Sequence, residues 1–348
     1  MCQHDSPAHR EVVATTRRSL LKAAAVVGGG LTLAGGLNVA GAPAASAGTG
    51  ATGDRIVVLG TDGGPIVRAS RAKPALALVV NQRTYLVDAG LNTATQLVAS
   101  GLKFAPLGDV FVTHHHLDHT SGLLDVLLHG WAYHDSRLGD VTLWGPPKMS
   151  ATTAGLNAAF EQEIRLFVAG GFLPEFPQVR ARNVEIRPGS TVVRVMEDAN
   201  VIVDATRVFH GAEVKDAYAY RFTVKQSGKV VVFSGDTAAP DQNLIELAHG
   251  CDYLVHEVQD NDNVEVLTQS MPPAQASALR EHLLTSHSNV MDVPKVAKAA
   301  EAKNLVFCHY TPIPQPASVY LAKAQSVADK IGYRGTITAP VDLDEIAL

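Results

Sequence analysis

Cysteine is scarce in this 348-residue chain, with only Cys2, Cys251 and Cys308, so a small disulfide-stapled scaffold is excluded. Cys251 begins one apolar run and Cys308 ends another. If those runs are parallel neighbouring strands, the sulfurs stand about 20 Å apart, beyond the reach of a disulfide. Beyond about residue 47 the chain also lacks internal repeats, low-complexity linkers and charge blocks, which excludes a solenoid. Basic residues are outnumbered, 29 against 34 acidic ones, so there is no general electrostatic pull on nucleic acid.

A hydrophobic share of 46% and a charged share of 18% describe an ordinary globular chain with a sizeable core. Its N-terminus stands apart. The stretch "TTRRSLLKAAAVVGGGLTLAGGLNVAGAPAASAG" has paired arginines, a mildly apolar Ala/Gly-rich region and a small-residue site at Ala45-Ser46-Ala47, the layout of a secretory signal. Arg17-Arg18 followed by Ser19, Leu20, Leu21 and Lys22 is similar to the twin-arginine consensus. The interrupting glycines leave it too weak for a membrane span. The expectation is a signal over 1–47, export to the periplasm or beyond through the twin-arginine translocase, and a mature domain over 48–348. Without Asp5, Arg10, Glu11, Arg17, Arg18 and Lys22, 25 basic and 32 acidic residues remain, a net charge of −7.

In the mature part, strand-like runs alternate with helical ones. "RIVVLG" (55–60), "ALALVV" (75–80) and "RTYLVDAG" (83–90) precede a helix over 93–102 and the strand "DVFV". Residues 151–171 read as one long helix or a helix pair. Strands are expected at 141–145, 200–209, 217–225, 229–235, 252–258 and 305–310, and helices over 293–304 and 318–331. Such alternation predicts a layered α/β domain.

Directly after "DVFV" comes "THHHLDHTSG", Thr113 to Gly122. In extended backbone His114 and His116 point to the same side, so they can share one metal. Asp118 and His119 follow where the chain turns and can serve a second ion nearby. His115 points away. Further ligands should also close strands, and three residues do: His210 ends "ATRVFH", Asp236 follows "VVVFSG", and His309 ends "LVFCH". Each alone is equally a capped strand end or a satisfied histidine; together, in this order, they form a ligand set.

The order H-x-H-x-D-H, His, "FSGDT", His resembles the metallo-β-lactamase superfamily of metal-dependent hydrolases, over residues 55–340. The resemblance implies an α/β fold of four layers, an αββα sandwich. It implies two Zn²⁺ ions, or other divalent transition metals. His114, His116 and His210 would hold the first, Asp118, His119 and His309 the second, with Asp236 bridging. Asp88 in "VDAG" would lie beneath and orient a ligand histidine. "LGTDGGP", "WGPP", "SGDT" and "LVHEV" look like the ribonuclease Z branch and its phosphodiesterase and arylsulfatase relatives. Lactam-hydrolysing members usually carry cysteine where Asp236 stands, which speaks against a lactamase. In that branch a glutamate of H-E-A-T supports a histidine of H-S-T; Glu257 and His287 match, although Val258-Gln259 and Asn289 depart from the pattern. A carboxylate against the imidazole would raise its pKa and suit it to general acid catalysis. Asp118, Glu257 and His287 form the expected catalytic set, and a metal-bound hydroxide the expected nucleophile.

Members that process tRNA usually carry an arm between the third histidine and the bridging aspartate. Only 26 positions separate His210 from Asp236, which suffices for two strands. The expected substrate is a small-molecule ester, foremost a phosphodiester, with no stable nucleic-acid complex and no membrane span in the mature form. An arylsulfatase-like sulfuric ester hydrolase and a lactonase are the alternatives. A metal or cofactor carrier without catalysis would be expected to lack ligands, whereas all seven positions are filled.

Overall fold

The computed structural model describes residues 53–187 and 191–348. The expected signal segment lies outside them. The first half runs β1 (Arg55–Gly60), β2 (Ala75–Val80), β3 (Arg83–Val87), α1 (Thr93–Ala99), β4 (Leu107–Phe111), α2 (Leu117–Thr120), α3 (Leu123–Ala132), β5 (Val141–Gly145), α4 (Met149–Ala169) and β6 (Val179–Asn183). The second half runs β7 (Val193–Glu197), β8 (Val201–His210), β9 (Val214–Val224), β10 (Val230–Phe233), α5 (Gln242–Leu247), β11 (Tyr253–Gln259), α6 (Asp262–Thr268), α7 (Pro273–Ser286), α8 (Val293–Ala299), β12 (Asn304–Thr311), α9 (Ala317–Ile331), β13 (Thr336–Thr338) and β14 (Glu345–Ala347). Two seven-stranded mixed sheets result, ordered β14-β1-β2-β3-β4-β5-β6 and β13-β12-β11-β10-β9-β8-β7.

Continuous apolar strands such as "ALALVV" are what a sheet covered on both faces requires. Period-two alternation sorts their side chains. Ile56 and Val58 face inward with Leu76, Phe111, Val203, Phe222, Val231 and Phe233, and fill the space between the sheets. Val57 and Leu59 face outward onto Leu97, Leu123 and Val126 of α1 and α3. On the far side, Val230, Val232, Leu305 and Phe307 meet Leu244, Val293, Val296 and Tyr320 of the opposite helical layer. Three buried layers between four structural ones make the αββα sandwich. Phe222 sits at its centre, with ring centroids 5.1 Å from Phe111 and 5.6 Å from Phe233 in edge-on packing. Truncating such a ring to alanine costs about 3–5 kcal/mol.

The reading of 151–171 resolves as a single helix, α4. The helix expected over 293–304 is shorter: α8 stops at Ala299, and Glu301 at φ 52° reverses the chain into β12. Among the described residues, Cys251 and Cys308 are free and buried, with β11 and β12 parallel neighbours as expected.

Candidate active site

The ends of six strands, β3, β4, β8, β10, β11 and β12, deliver the polar residues to one edge of the sandwich. β4 stops at Phe111, so His114 and His116 lie beyond the strand itself. The backbone nevertheless stays extended at His116 (φ −61°, ψ 148°), and the two rings face the same space with centroids 4.5 Å apart. His115 turns outward to the Pro147 carbonyl. The single turn α2 then lifts Asp118 and His119 into the site, both buried. This turn is held against the Asp88 loop by Ala89 N–H donating to the His119 carbonyl and Gly122 N–H to the Ala89 carbonyl, each at 2.9 Å. Residue 122 must be glycine, because a Cβ there would lie 1.9 Å from the Gly90 oxygen.

His210 closes β8, and its Nδ1–H donates to the Ser286 carbonyl at 2.9 Å. That fixes the tautomer and leaves the Nε2 lone pair 3.2 Å from His116 Nδ1. His309 arrives by a different device. In the β11–β12 ladder Glu257 pairs with Cys308 and Val258 with Tyr310, so His309 is an inserted bulge residue, at φ 48°. A bulge re-aims a side chain at the end of a strand.

Asp236 is the hub. Its Oδ2 lies 3.1 Å from His309 Nε2, 3.3 Å from His119 Nε2, 3.7 Å from His210 Nε2 and 3.8 Å from His114 Nε2. Two groups of donors flank it, His114 with His116 and His210 on one side, and Asp118 with His119 and His309 on the other. Asp118 Oδ2 also accepts from Gly64 N–H at 2.7 Å. Below, Asp88 accepts from His119 Nδ1–H at 2.7 Å and from the Thr113 amide at 2.8 Å. Hence all seven residues of the expected ligand set converge on one space, with Asp88 bonded to His119 and Thr113 beneath them.

This donor set fits divalent ions. The buried atoms His114 Nε2, His119 Nε2 and Asp236 Oδ1 have no hydrogen-bond partner among the described residues, and an unmet buried polar atom costs about 1–3 kcal/mol. Burial holds His114 well below the usual histidine range and pulls His210 down to about 3, so both rings are neutral and offer lone pairs. Burial also pulls on His119, but Asp236, Asp88 and Asp118 together outweigh it and push its pKa well up. Carboxylates concentrated there demand positive charge, as a metal provides.

Glu257 is fully buried at the end of β11. Its Oε1 accepts from Thr237 N–H at 3.0 Å and Ser288 N–H at 3.2 Å, and lies 3.0 Å from His287 Nδ1. His287 caps the C-terminal end of α7, its side chain only 7% exposed, so the pairing expected of these residues is present. One expectation is corrected: His287 is pulled down to about 4, because burial is the larger cause. Burial, then the charge of Asp236, pushes Glu257 well up, so both shifts favour a neutral pair.

Gly63 and Thr113 lie in stretches the sequence singles out but carry no role there, and His282 is passed over altogether. The His282 ring lies 5.6 Å from that of His210 and 5.8 Å from that of His287. Only its position one helical turn before Ser286 and His287 signals it. Arg68 and Arg71, which follow the "LGTDGGP" stretch, are tied into the scaffold: Arg68 donates to Asp62 at 2.7 Å and to the Pro312 carbonyl at 2.9 Å, and Arg71 to Thr61 Oγ1.

An αββα sandwich with seven converging histidines and aspartates that could hold metal ions at its edge has the build of a metal-dependent hydrolase. A family profile described as "Beta-lactamase superfamily domain" matches residues 83–310, and the chain belongs to that family. Among curated proteins, a ribonuclease Z of Mycolicibacterium gilvum is 30% identical over 263 residues, covering 75% of this chain and 85% of the relative. A ribonuclease Z of Mycobacterium sp. (strain KMS) is 29% identical over 258 residues, covering 74% and 84%. The crystal structure of the short form of human tRNase Z aligns with a TM-score of 0.59 at 20% identity, over 84% of this chain and 98% of that one. It supports the fold.

Proposed function

We propose that this chain is an exported hydrolase of small phosphodiesters working with two divalent ions, zinc by its imidazole-rich donor set. The observation that carries the reading is Asp236 Oδ2 lying within 3.8 Å of imidazole nitrogens from both donor groups, the position of a carboxylate shared by two ions. When bound, such ions supply Lewis acidity toward the ester and a water made nucleophilic at neutral pH. The chain's own residues do the rest. Thr237 and Ser288 amides fix Glu257, and the protonated Glu257 donates to His287 Nδ1, so that the proton leaving His287 Nε2 is replaced at Nδ1 by the one from Glu257. His287 lines the cavity above the ligands, so the Nε2 proton is placed for the departing oxygen.

Phosphodiesters are favoured over sulfates and lactones because the curated relatives are ribonucleases. A small substrate is favoured over RNA by the segment from His210 to Asp236, where β9 and β10 follow β8 by short turns. We further infer that residues 1–47 direct twin-arginine export to the periplasm or beyond. The deciding experiment is a panel on the zinc-loaded mature protein: bis(p-nitrophenyl) phosphate, a cyclic nucleotide, p-nitrophenyl sulfate, a lactone, a β-lactam and a precursor tRNA. The phosphodiesters should turn over best. Faster cleavage of the tRNA would overturn the small-substrate reading, and preference for sulfate or lactone would overturn the phosphodiester one.

A further inference from the structure

Beside the metal-ligand cluster lies a cavity of about 280 Å³ whose floor includes His116, Asp118, Asp236 and His309. Its opposite wall is built by α6 and α7. Leu279, His282 and Leu283 lie at i, i+3 and i+4, so one face of α7 turns inward, and Leu267 of α6 joins it. Ile66 and Leu117 also line it while 48% and 59% exposed, so apolar side chains stand open to solvent beside the ligand cluster. The only Lys or Arg among the lining residues is Arg68, and its guanidinium is already engaged by Asp62 and Pro312. A polyanion would therefore find no counter-charge on this wall.

We propose that α6–α7 is a substrate-selecting wall, and that the substrates are singly charged esters bearing one apolar arm, aryl or branched alkyl. The arm lies on Leu267, Leu279 and Leu283, while the ester group faces the ligand cluster. His282, with Nδ1 3.3 Å from Ser286 Oγ, marks the polar end of the wall, where arm meets ester. The size fits: a cavity of ~150 Å³ accepts a benzene ring, so this one has room for a ring and an ester group. The inference rests on the reading that this cluster hydrolyses esters and adds to it the class of substrate.

The test is calorimetric binding of two monoanionic probes to the zinc-loaded protein, phenyl methylphosphonate and methyl methylphosphonate. The phenyl ester should bind about tenfold tighter or better, with a more negative heat-capacity change. Leu279→Glu and, as an independent check on folding artefacts, Leu267→Gln should each shrink the phenyl-to-methyl affinity ratio at least about threefold, with metal content unchanged. Equal affinity for the two probes overturns the inference and leaves the phosphodiester reading standing. So does tighter binding of a short oligonucleotide than of the phenyl probe. A phenyl preference lost in both variants, in a protein that hydrolyses no phosphodiester, supports the wall and overturns that reading instead.

Discussion

Replacing Gly63 by alanine tests whether the second donor group is held by shape. A Cβ on residue 63 would lie 2.6 Å from both Cε1 and Nδ1 of His309. Ordinary carbon contacts begin near 3.4 Å, so the ring must retreat by about 0.8 Å. It has little room. His309 stacks on His119 at 5.1 Å and on His287 at 5.5 Å, and its Nε2 is 3.1 Å from Asp236. Metal sites tolerate about 0.2 Å in ligand distance, so the displacement exceeds the tolerance roughly fourfold. The expected result is a loss of about 10–100-fold in affinity for one of two ions, together with about 1–3 kcal/mol of stability from overpacking.

The assay is equilibrium dialysis against graded zinc buffers with elemental analysis, alongside denaturant unfolding. Gly155→Ala is the control, since nothing lies within 4 Å of a Cβ there and the site is exposed in α4. It should gain about 0.5–1 kcal/mol and bind both ions normally. Two ions bound at unchanged affinity in Gly63→Ala would refute the assignment of His309 as a ligand.

Other consequences are equally direct. Asp236→Ala should weaken both ions together, measured by the same dialysis; selective loss of one would show that the carboxylate does not bridge. His287→Ala should slow diesters with alkyl-like leaving groups by about 10²–10⁴-fold and p-nitrophenyl esters far less, with metal content intact; Glu257→Gln should show the same selectivity more weakly. Equal losses on both substrate types would make His287 a positioning residue. Replacing Arg17 and Arg18 together by lysine should leave the precursor in the cytoplasm on cell fractionation, and normal export would remove the twin-arginine reading.

Much of the fold was legible because each strand carries its own evidence. Runs such as "ALALVV" have too few polar positions to face water on either side, which already requires helices outside both sheets. The first four ligands were legible for a similar reason: polar side chains crowded into Thr113–Gly122 behind an apolar strand have little role in a core. The helical wall was not. The exposed residues of α7 interrupt its apolar face so often that "PAQASALREHLLTS" gives no clear periodic signal, and its inward face of Leu279, His282 and Leu283 emerges only once the cavity is seen. α6, with Leu267 on its inner side, is barely two turns long.

His309 shows most clearly where strand reasoning stops. In β12, Leu305 and Phe307 face the outer helical layer, while Val306 and Cys308 face the other sheet. Strict alternation would send His309 outward with Phe307, away from Asp236. The inserted residue breaks the alternation. Tyr310 takes the outward place beside Tyr320, at 4.7 Å between rings, and His309, in a left-handed conformation unusual for a residue with a Cβ, swings toward the cluster. Nothing in "LVFCHYT" announces a bulge, because the bulge is a property of the pairing with β11. The same pairing sets Glu257 opposite Cys308, directly before the break. One irregularity in one ladder thus brings a ligand and the partner of the proton donor to the same end of the sheet, and a substitution that restores regular register there should uncouple them while leaving the sandwich core intact.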